Sequence, residues 1–211
     1  MPFSNNDDLV AHLERDTRVL ATPRLKEAFR AIDRADFVHS DYLPEAYEDY
    51  PLPIGKGQTI SQPATVAFML EQLGVAPGER VLDVGSGSGW TTALLGSIVG
   101  ERGRVFGIEL VPEIVDFGKH NLAKYHLPQA TIEEAGRGVL GKSAEAPFDR
   151  ILVSAAAEKL PQELVSQLKE GGVMVAPLGD SICRIEKRGA GKITKKCYPG
   201  FAFVPLIERK S

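Results

Sequence analysis

Long apolar runs are missing from this chain of 211 residues. No stretch approaches the ~18 continuous apolar residues of a membrane span. The opening Met1-Pro2-Phe3-Ser4-Asn5-Asn6-Asp7-Asp8 has neither the basic nor the apolar region of a secretory leader. A cytoplasmic protein with no membrane partner is therefore expected. An excess of one charge is missing too: 25 Lys and Arg face 28 Asp and Glu, for a formal net charge of −3 and no long basic run. Extended nucleic-acid contact requires many phosphates to be neutralised, so no nucleic acid is expected as a partner, and a small molecule or a protein fits better. Cysteine is scarce. Cys183 and Cys197 are far from a disulfide scaffold, and four scattered histidines give no ligand spacing, so no metal is expected. The two cysteines fall in the arms of an expected hairpin, Ile182 to Arg188 and Lys192 to Tyr198, where a turn centred on Ala190 sets them opposite each other. A cross-strand disulfide and two thiols are both open, and cytosolic reduction favours two thiols. There are no internal repeats or low-complexity segments. A hydrophobic content of 43% suits one globular domain, expected to be a monomer.

What the chain does have is Val81-Leu82-Asp83-Val84-Gly85-Ser86-Gly87-Ser88-Gly89-Trp90, an apolar strand running into three glycines at alternate positions. Glycine lets backbone approach a ligand with no Cβ in the way. A dinucleotide fingerprint places its third glycine three positions after the second, against the pyrophosphate, and here that position is Trp90. A large indole there points to a nucleoside without pyrophosphate, and S-adenosylmethionine is the candidate. Further on, Arg104-Val105-Phe106-Gly107-Ile108-Glu109 is a second strand ending in an acid, about where a ribose-binding carboxylate is expected. A purely structural glycine reversal is the competing reading.

Before this turn lie two amphipathic helices, Asp7 to Arg15 and Pro23 to Ile32, the second with Thr22 as N-cap and Pro23 at its first position. Between Phe37 and Pro53 the chain reads as a loop rich in aromatic residues. Ile54-Gly55-Lys56-Gly57-Gln58-Thr59-Ile60-Ser61-Gln62-Pro63 follows, then a helix from Ala64 to Leu73 for which Ser61 is a candidate cap. From Arg80 strands and helices alternate: helices over Thr91 to Val99, Pro112 to Tyr125 and Pro161 to Leu168, the last closed by Gly171-Gly172, and strands over Ala130 to Glu134, Phe148 to Ser154 and Val173 to Pro177. The rhythm predicts an α/β fold, a mostly parallel sheet with helices on both faces and antiparallel hairpin strands at one edge. Three parts are expected: an N-terminal helical and substrate segment (1–63), a cofactor-binding core (64–178) and a C-terminal hairpin (179–211). Gly85 to Gly89, Glu109, Gly136 to Gly138 and Ser154 to Ala157 all follow strands, so they are expected to share one crevice at the carboxyl ends of the sheet.

These residues resemble the protein-L-isoaspartate O-methyltransferase family. The likeness runs through Ala46-Tyr47-Glu48-Asp49-Tyr50-Pro51-Leu52-Pro53-Ile54-Gly55, Gly57-Gln58-Thr59-Ile60-Ser61-Gln62-Pro63, the glycine turn, Pro147-Phe148-Asp149 leading to Val153-Ser154-Ala155-Ala156, and Phe203-Val204-Pro205-Leu206. The glycine turn is common to methyltransferases; the Gly-Gln-Thr-Ile-Ser segment is nearly private to this family. The resemblance implies a Rossmann-like methyltransferase fold, S-adenosylmethionine as cofactor, and isoaspartyl-containing proteins as substrates. It places Ser61 at the active-site serine and Ile54 and Thr59 beside the isoaspartyl residue. Ser154, Ala155 and Ala156 then supply backbone groups toward the substrate, and Asp83, Gly85, Ser86, Gly87, Gly89, Glu109, Leu110, Gly136 and Arg137 serve the cofactor.

One position departs from the pattern. The family usually has Gly-Asp-Gly after the third strand, its aspartate bonding the adenine amino group; this chain has Gly136-Arg137-Gly138. A guanidinium has donors and no acceptor, so Arg137 cannot take that bond, a loss of roughly 1 to 3 kcal/mol in cofactor affinity. Stacking of its plane on adenine is an alternative use. Asp83, Trp90 and Ala202 stand where the family often has glutamate, tyrosine and arginine. Two other functional readings remain at this point: a weakened relative acting as a cofactor- or protein-binding module, and a methyltransferase for another carboxylate.

Overall fold

The computed structural model describes residues 3–136 and 138–206. Two N-terminal helices, α1 (Asn6–Arg15) and α2 (Pro23–Ala31), lead through 3-10 turns at Arg34–Phe37 and Ser40–Glu45 to a small hairpin, β1 (Leu52–Gly55) and β2 (Gln58–Ile60). Then come α3 (Pro63–Leu73), β3 (Arg80–Val84), α4 (Trp90–Val99), β4 (Arg104–Glu109), α5 (Pro112–Leu122), β5 (Ala130–Glu134), β6 (Phe148–Val153), α6 (Gln162–Gln167), β7 (Leu168–Leu178), β8 (Ser181–Arg188) and β9 (Lys192–Pro199). The main sheet has the order β5-β4-β3-β6-β7-β8-β9. It is parallel from β5 through β7 and antiparallel from β7 to β9. Among the described residues no helix is long and apolar enough to cross a membrane.

Successive strand side chains point to opposite faces, and the core divides accordingly. Val81, Val105, Leu152 and Val175 join a cluster with α1 to α5 and the small hairpin, whereas Leu82, Ile108, Val153 and Met174 pack with α6 and the 140–146 connection. Both faces carry helices, but unequally: among the described residues α1 to α5 lie on one face and the short α6 on the other.

Several expectations are corrected. The segment before Ser61 is not all loop, because Lys56 (φ 53°) and Gly57 (φ 74°) form a two-residue turn with both central residues left-handed, which pairs β1 with β2. The helix after Pro161 ends at Gln167; Gly171-Gly172 does not terminate it but lies within β7, where the register against β6 jumps from Phe148↔Leu168 to Arg150↔Val173. Thr22 precedes α2 without a side-chain capping bond, since its hydroxyl and backbone N–H both donate to Glu71. Cys183 and Cys197 face each other in register and are joined as a disulfide, contrary to the thiols expected. That expectation rested on cellular redox chemistry, while the opposed placement follows from the hairpin.

Candidate functional site

The chain leaves β3 toward β4 on one side, and later places β6 on the other side of β3. At such a switch the loops leaving adjacent strands diverge and open a crevice. Here the opening is a cavity of about 560 Å³. The strand ends expected to converge do meet there. Of the residues singled out in the sequence, Thr59, Ser61, Gly85, Ser86, Gly87, Glu109, Leu110, Gly136, Ser154 and Ala155 line it. Ile54, Asp83, Gly89 and Ala156 do not, and Arg137 lies outside the described residues.

The cofactor side is built around Glu109. Its carboxylate is buried and accepts the backbone N–H of Gly87 (3.0 Å) on one oxygen, and those of Leu110 (2.7 Å) and Val111 (3.1 Å) on the other. One side chain thereby ties the glycine turn after β3 to the loop after β4, and it keeps acceptor capacity for ligand hydroxyls. Helix α5 braces the turn from behind. A Cβ on Gly118 would sit 2.7 Å from the Gly87 carbonyl, and one on Gly89 would sit 2.9 Å from the Gly118 carbonyl, so both are packing glycines. This is why Gly89 holds the turn's shape without lining the cavity. The Asn121 side chain completes the brace by donating to the Ser88 carbonyl at 3.0 Å.

Asp83 lies beneath the turn, fully buried, with Thr91 and Thr92 donating to its Oδ2 at 2.7 Å each. Burial pushes its pKa up from 3.8 to about 6; the two threonines oppose the shift and Glu109 adds to it. The folded state holds this proton more tightly than the unfolded chain, so the group contributes stability that is fully present below about pH 4 and is lost as pH rises through about 6. The full swing is about 3 kcal/mol. Asp83→Asn has no such titration. We expect the stability of the native protein relative to Asp83→Asn to rise by that order between pH 8 and pH 4, read from urea unfolding at each pH. A difference independent of pH would remove the argument.

The substrate side rests on the β1–β2 hairpin and the residues just after it. Ser61 does not cap α3: Asp49 does, its Oδ1 accepting the Ala64 N–H at 2.8 Å. The Ser61 hydroxyl has no hydrogen-bond partner among the described residues and lines the cavity. Ile54 lies just behind, buried, its Cδ1 3.5 Å from where a Gly87 Cβ would be. It therefore joins the hairpin to the glycine turn and is kept out of the cavity. Of the turn after β6, Ser154 donates its N–H to the Val84 carbonyl (2.9 Å) and lines the cavity. Ala156 donates its N–H to Val204 and accepts from Leu206, both at 2.8 Å. The backbone of Ala156 thus carries the 204–206 segment, which itself lines the cavity.

Sequence reasoning missed Arg34. Its side chain is fully buried and donates to the carbonyls of Ala46 (2.6 Å), Glu48 (3.2 Å), Tyr50 (3.0 Å) and Ser61 (3.3 Å). Its guanidinium also lies 5.6 Å from the centre of the Trp90 ring. Burial lowers its pKa to about 10, against the pull of Asp49 and Tyr50, so it stays protonated at neutral pH. No periodicity or spacing marks a lone arginine whose partners are carbonyls. Trp90, the other informative aromatic, lines the cavity and packs edge-on against Phe29.

Comparison with known proteins gives a consistent result. The profile of the family described as protein-L-isoaspartate(D-aspartate) O-methyltransferase matches residues 4–211. A protein-L-isoaspartate O-methyltransferase of Methanopyrus kandleri is 45% identical over 188 residues, 87% of this chain and 83% of that one. One of Anaeromyxobacter dehalogenans is 47% identical over 204 residues, 91% and 90%. A crystal structure from Plasmodium falciparum, assigned to the same enzyme and holding S-adenosyl-L-homocysteine, superposes with a TM-score of 0.83 at 26% identity, covering 97% of this chain and 99% of that one.

Proposed function

The chain belongs to the protein-L-isoaspartate(D-aspartate) O-methyltransferase family, and from that premise we infer that its cavity transfers a methyl group from S-adenosylmethionine to the free carboxylate of L-isoaspartyl residues in damaged proteins. The observation that carries this reading is one shared space. The glycine turn and Glu109 form one wall, and Thr59 and Ser61 stand on another.

The residues present fit the cofactor. Gly85 and Gly87 line the cavity with left-handed backbone, and the Ser86 hydroxyl is buried there with no partner. Glu109 is assigned to the ribose hydroxyls. S-adenosylmethionine supplies a methyl group on a sulfonium, an electrophile that needs no further activation. A carboxylate with a pKa near 4 is already ionised at neutral pH, so the site requires no strong base. The protein's work is alignment. Holding the carboxylate oxygen on the line of the methyl–sulfur bond at about 3 Å contributes roughly 7 to 11 kcal/mol. The Ser61 and Thr59 hydroxyls orient the carboxylate through charge-assisted bonds and leave it its electron pair. Ser61 suits this role because its hydroxyl is free and its carbonyl is anchored by Arg34. The 204–206 segment, carried by Ala156, forms a further part of the cavity wall. Once esterified, the carboxyl becomes a better target for the neighbouring backbone nitrogen, which loses its proton and expels methanol as it closes a succinimide and begins repair.

An isoaspartyl peptide and its aspartyl counterpart, each offered with labelled S-adenosylmethionine, test the reading: label enters the first and not the second. Transfer to neither, or to both equally, sinks it. Ser61→Ala should lower kcat about 10- to 100-fold, the worth of one hydrogen bond to a charged group, with the dissociation constant for S-adenosylhomocysteine unchanged within twofold.

A further inference from the structure

Besides Glu109, a second carboxylate lines the cavity, that of Glu163 in the first turn of α6. Its Oε2 accepts the Leu140 N–H at 3.1 Å, which sets the carboxyl against the 138–141 stretch of the cavity wall. Gln167, one turn on, clamps the same stretch: it accepts from the Lys142 N–H at 2.7 Å and donates to the Leu140 carbonyl at 2.8 Å. The Glu163 carboxylate thus has a defined place, and its Oε1 has no partner among the described residues. The nearby Lys142 ammonium is engaged by Glu133.

Among the described residues, the wall that this carboxylate joins is otherwise Gly136, Gly138, Val139, Leu140 and Gly141. Glycine backbone and aliphatic side chains accept the flat face of a purine and offer no side-chain acceptor for its edge. Glu109, the other carboxylate, is held by three backbone N–H groups at the glycine turn. The remaining polar side chains of the cavity belong to the hairpin and Ser61 after it, the glycine turn, the first turn of α4 and the turn after β6. An adenine amine placed against Gly136 and residues 138–141 has the Glu163 carboxylate as the charged side-chain acceptor on that wall.

We propose that Glu163 Oε1 accepts the exocyclic amine of the cofactor's adenine, so that α6 reads the base in place of the turn after β5. The proposal rests on the S-adenosylmethionine reading above. It makes Glu163 a specificity residue for a 6-amino over a 6-oxo purine, because a carboxylate attracts an amine and repels a carbonyl.

The test is calorimetry of S-adenosyl-L-homocysteine and S-inosyl-L-homocysteine with the native protein, Glu163→Ala and Glu163→Gln. The native protein is expected to prefer the adenosyl ligand by about tenfold or more. In Glu163→Ala that preference falls to within threefold. In Glu163→Gln it falls to parity or reverses, because the amide N–H donates to the 6-oxo group while its oxygen keeps the Leu140 bond. Equal weakening of both ligands with the preference intact means that Glu163 only supports the wall, and it overturns the proposal. A preference unchanged in both variants overturns it too, assigning the amine to a backbone carbonyl. No binding of either ligand to the native protein at millimolar concentration would overturn the cofactor reading, and this proposal with it.

Discussion

Arg34→Met is expected to destabilise the protein by roughly 3 to 5 kcal/mol and to lower kcat in whatever fraction remains folded. The native guanidinium is completely buried and bridges four carbonyls drawn from three places: Ala46 and Glu48 after the second 3-10 turn, Tyr50 before the hairpin, and Ser61 after it. Methionine matches the stem of the side chain and loses every donor. Each carbonyl left dry costs on the order of 1 to 3 kcal/mol, reduced where water can enter. Lysine is not a substitute, since a compact ammonium cannot span a fan of acceptors that a planar fork reaches. The activity effect follows from Ser61: with its carbonyl released, the hydroxyl loses its bearing on the substrate carboxylate. The signature is a fall in kcat at saturating S-adenosylmethionine, with cofactor affinity changed much less. Urea unfolding and steady-state rates with an isoaspartyl peptide read the two effects. A loss of stability below 1 kcal/mol with full activity would show that the carbonyls do not depend on Arg34.

Glu109→Ala is expected to weaken S-adenosylhomocysteine binding at least about 100-fold. Two losses combine. Bonds from ribose hydroxyls to a charged acceptor are worth about 1.5 to 3 kcal/mol each. The carboxylate is also the clamp that joins Gly87 to Leu110 and Val111, so its removal frees both loops bounding the crevice. Glu109→Gln separates the losses. Its amide has one acceptor oxygen, while its NH2 group faces backbone donors, so the clamp suffers even though the size is unchanged. We expect Glu109→Gln to bind nearly as poorly as the alanine variant in calorimetry. Affinity within threefold of native in Glu109→Ala would show that the glycine turn holds the cofactor without it.

Much of this site could be read along the chain, because the signals are local. The strand Val81–Val84, the glycines after it and the acid ending the next strand lie within one βαβ unit, and each is a statement about neighbours. The Gly-Gln-Thr-Ile-Ser segment pointed to Ser61, which does line the cavity with its hydroxyl free. The small hairpin was also present in the sequence as Gly55-Lys56-Gly57, but a lysine in the left-handed region hid the turn. The site residues that do not line the cavity share one trait. Asp83, Gly89 and Ala156 sit in motifs that carry the cofactor or the substrate, yet in the fold they serve the motif from behind. Asp83 anchors two threonines, Gly89 admits α5, and Ala156 binds the 204–206 segment.

Most of the element order and the kind of cofactor were therefore legible in periodicity and turn chemistry, which act over a few residues, while Ser61 was singled out by the resemblance of its segment to the family. The partners of those residues were not. Arg34 finds its acceptors, Glu109 finds Gly87, Glu163 reaches Leu140 and Cys183 meets Cys197 only after the sheet has set its strand order and the helices have packed upon it. Such pairings depend on register and on crossings between distant segments, and burial decides which polar groups must find a partner. No local pattern encodes that distance, so the shape of the site belongs to the packed chain.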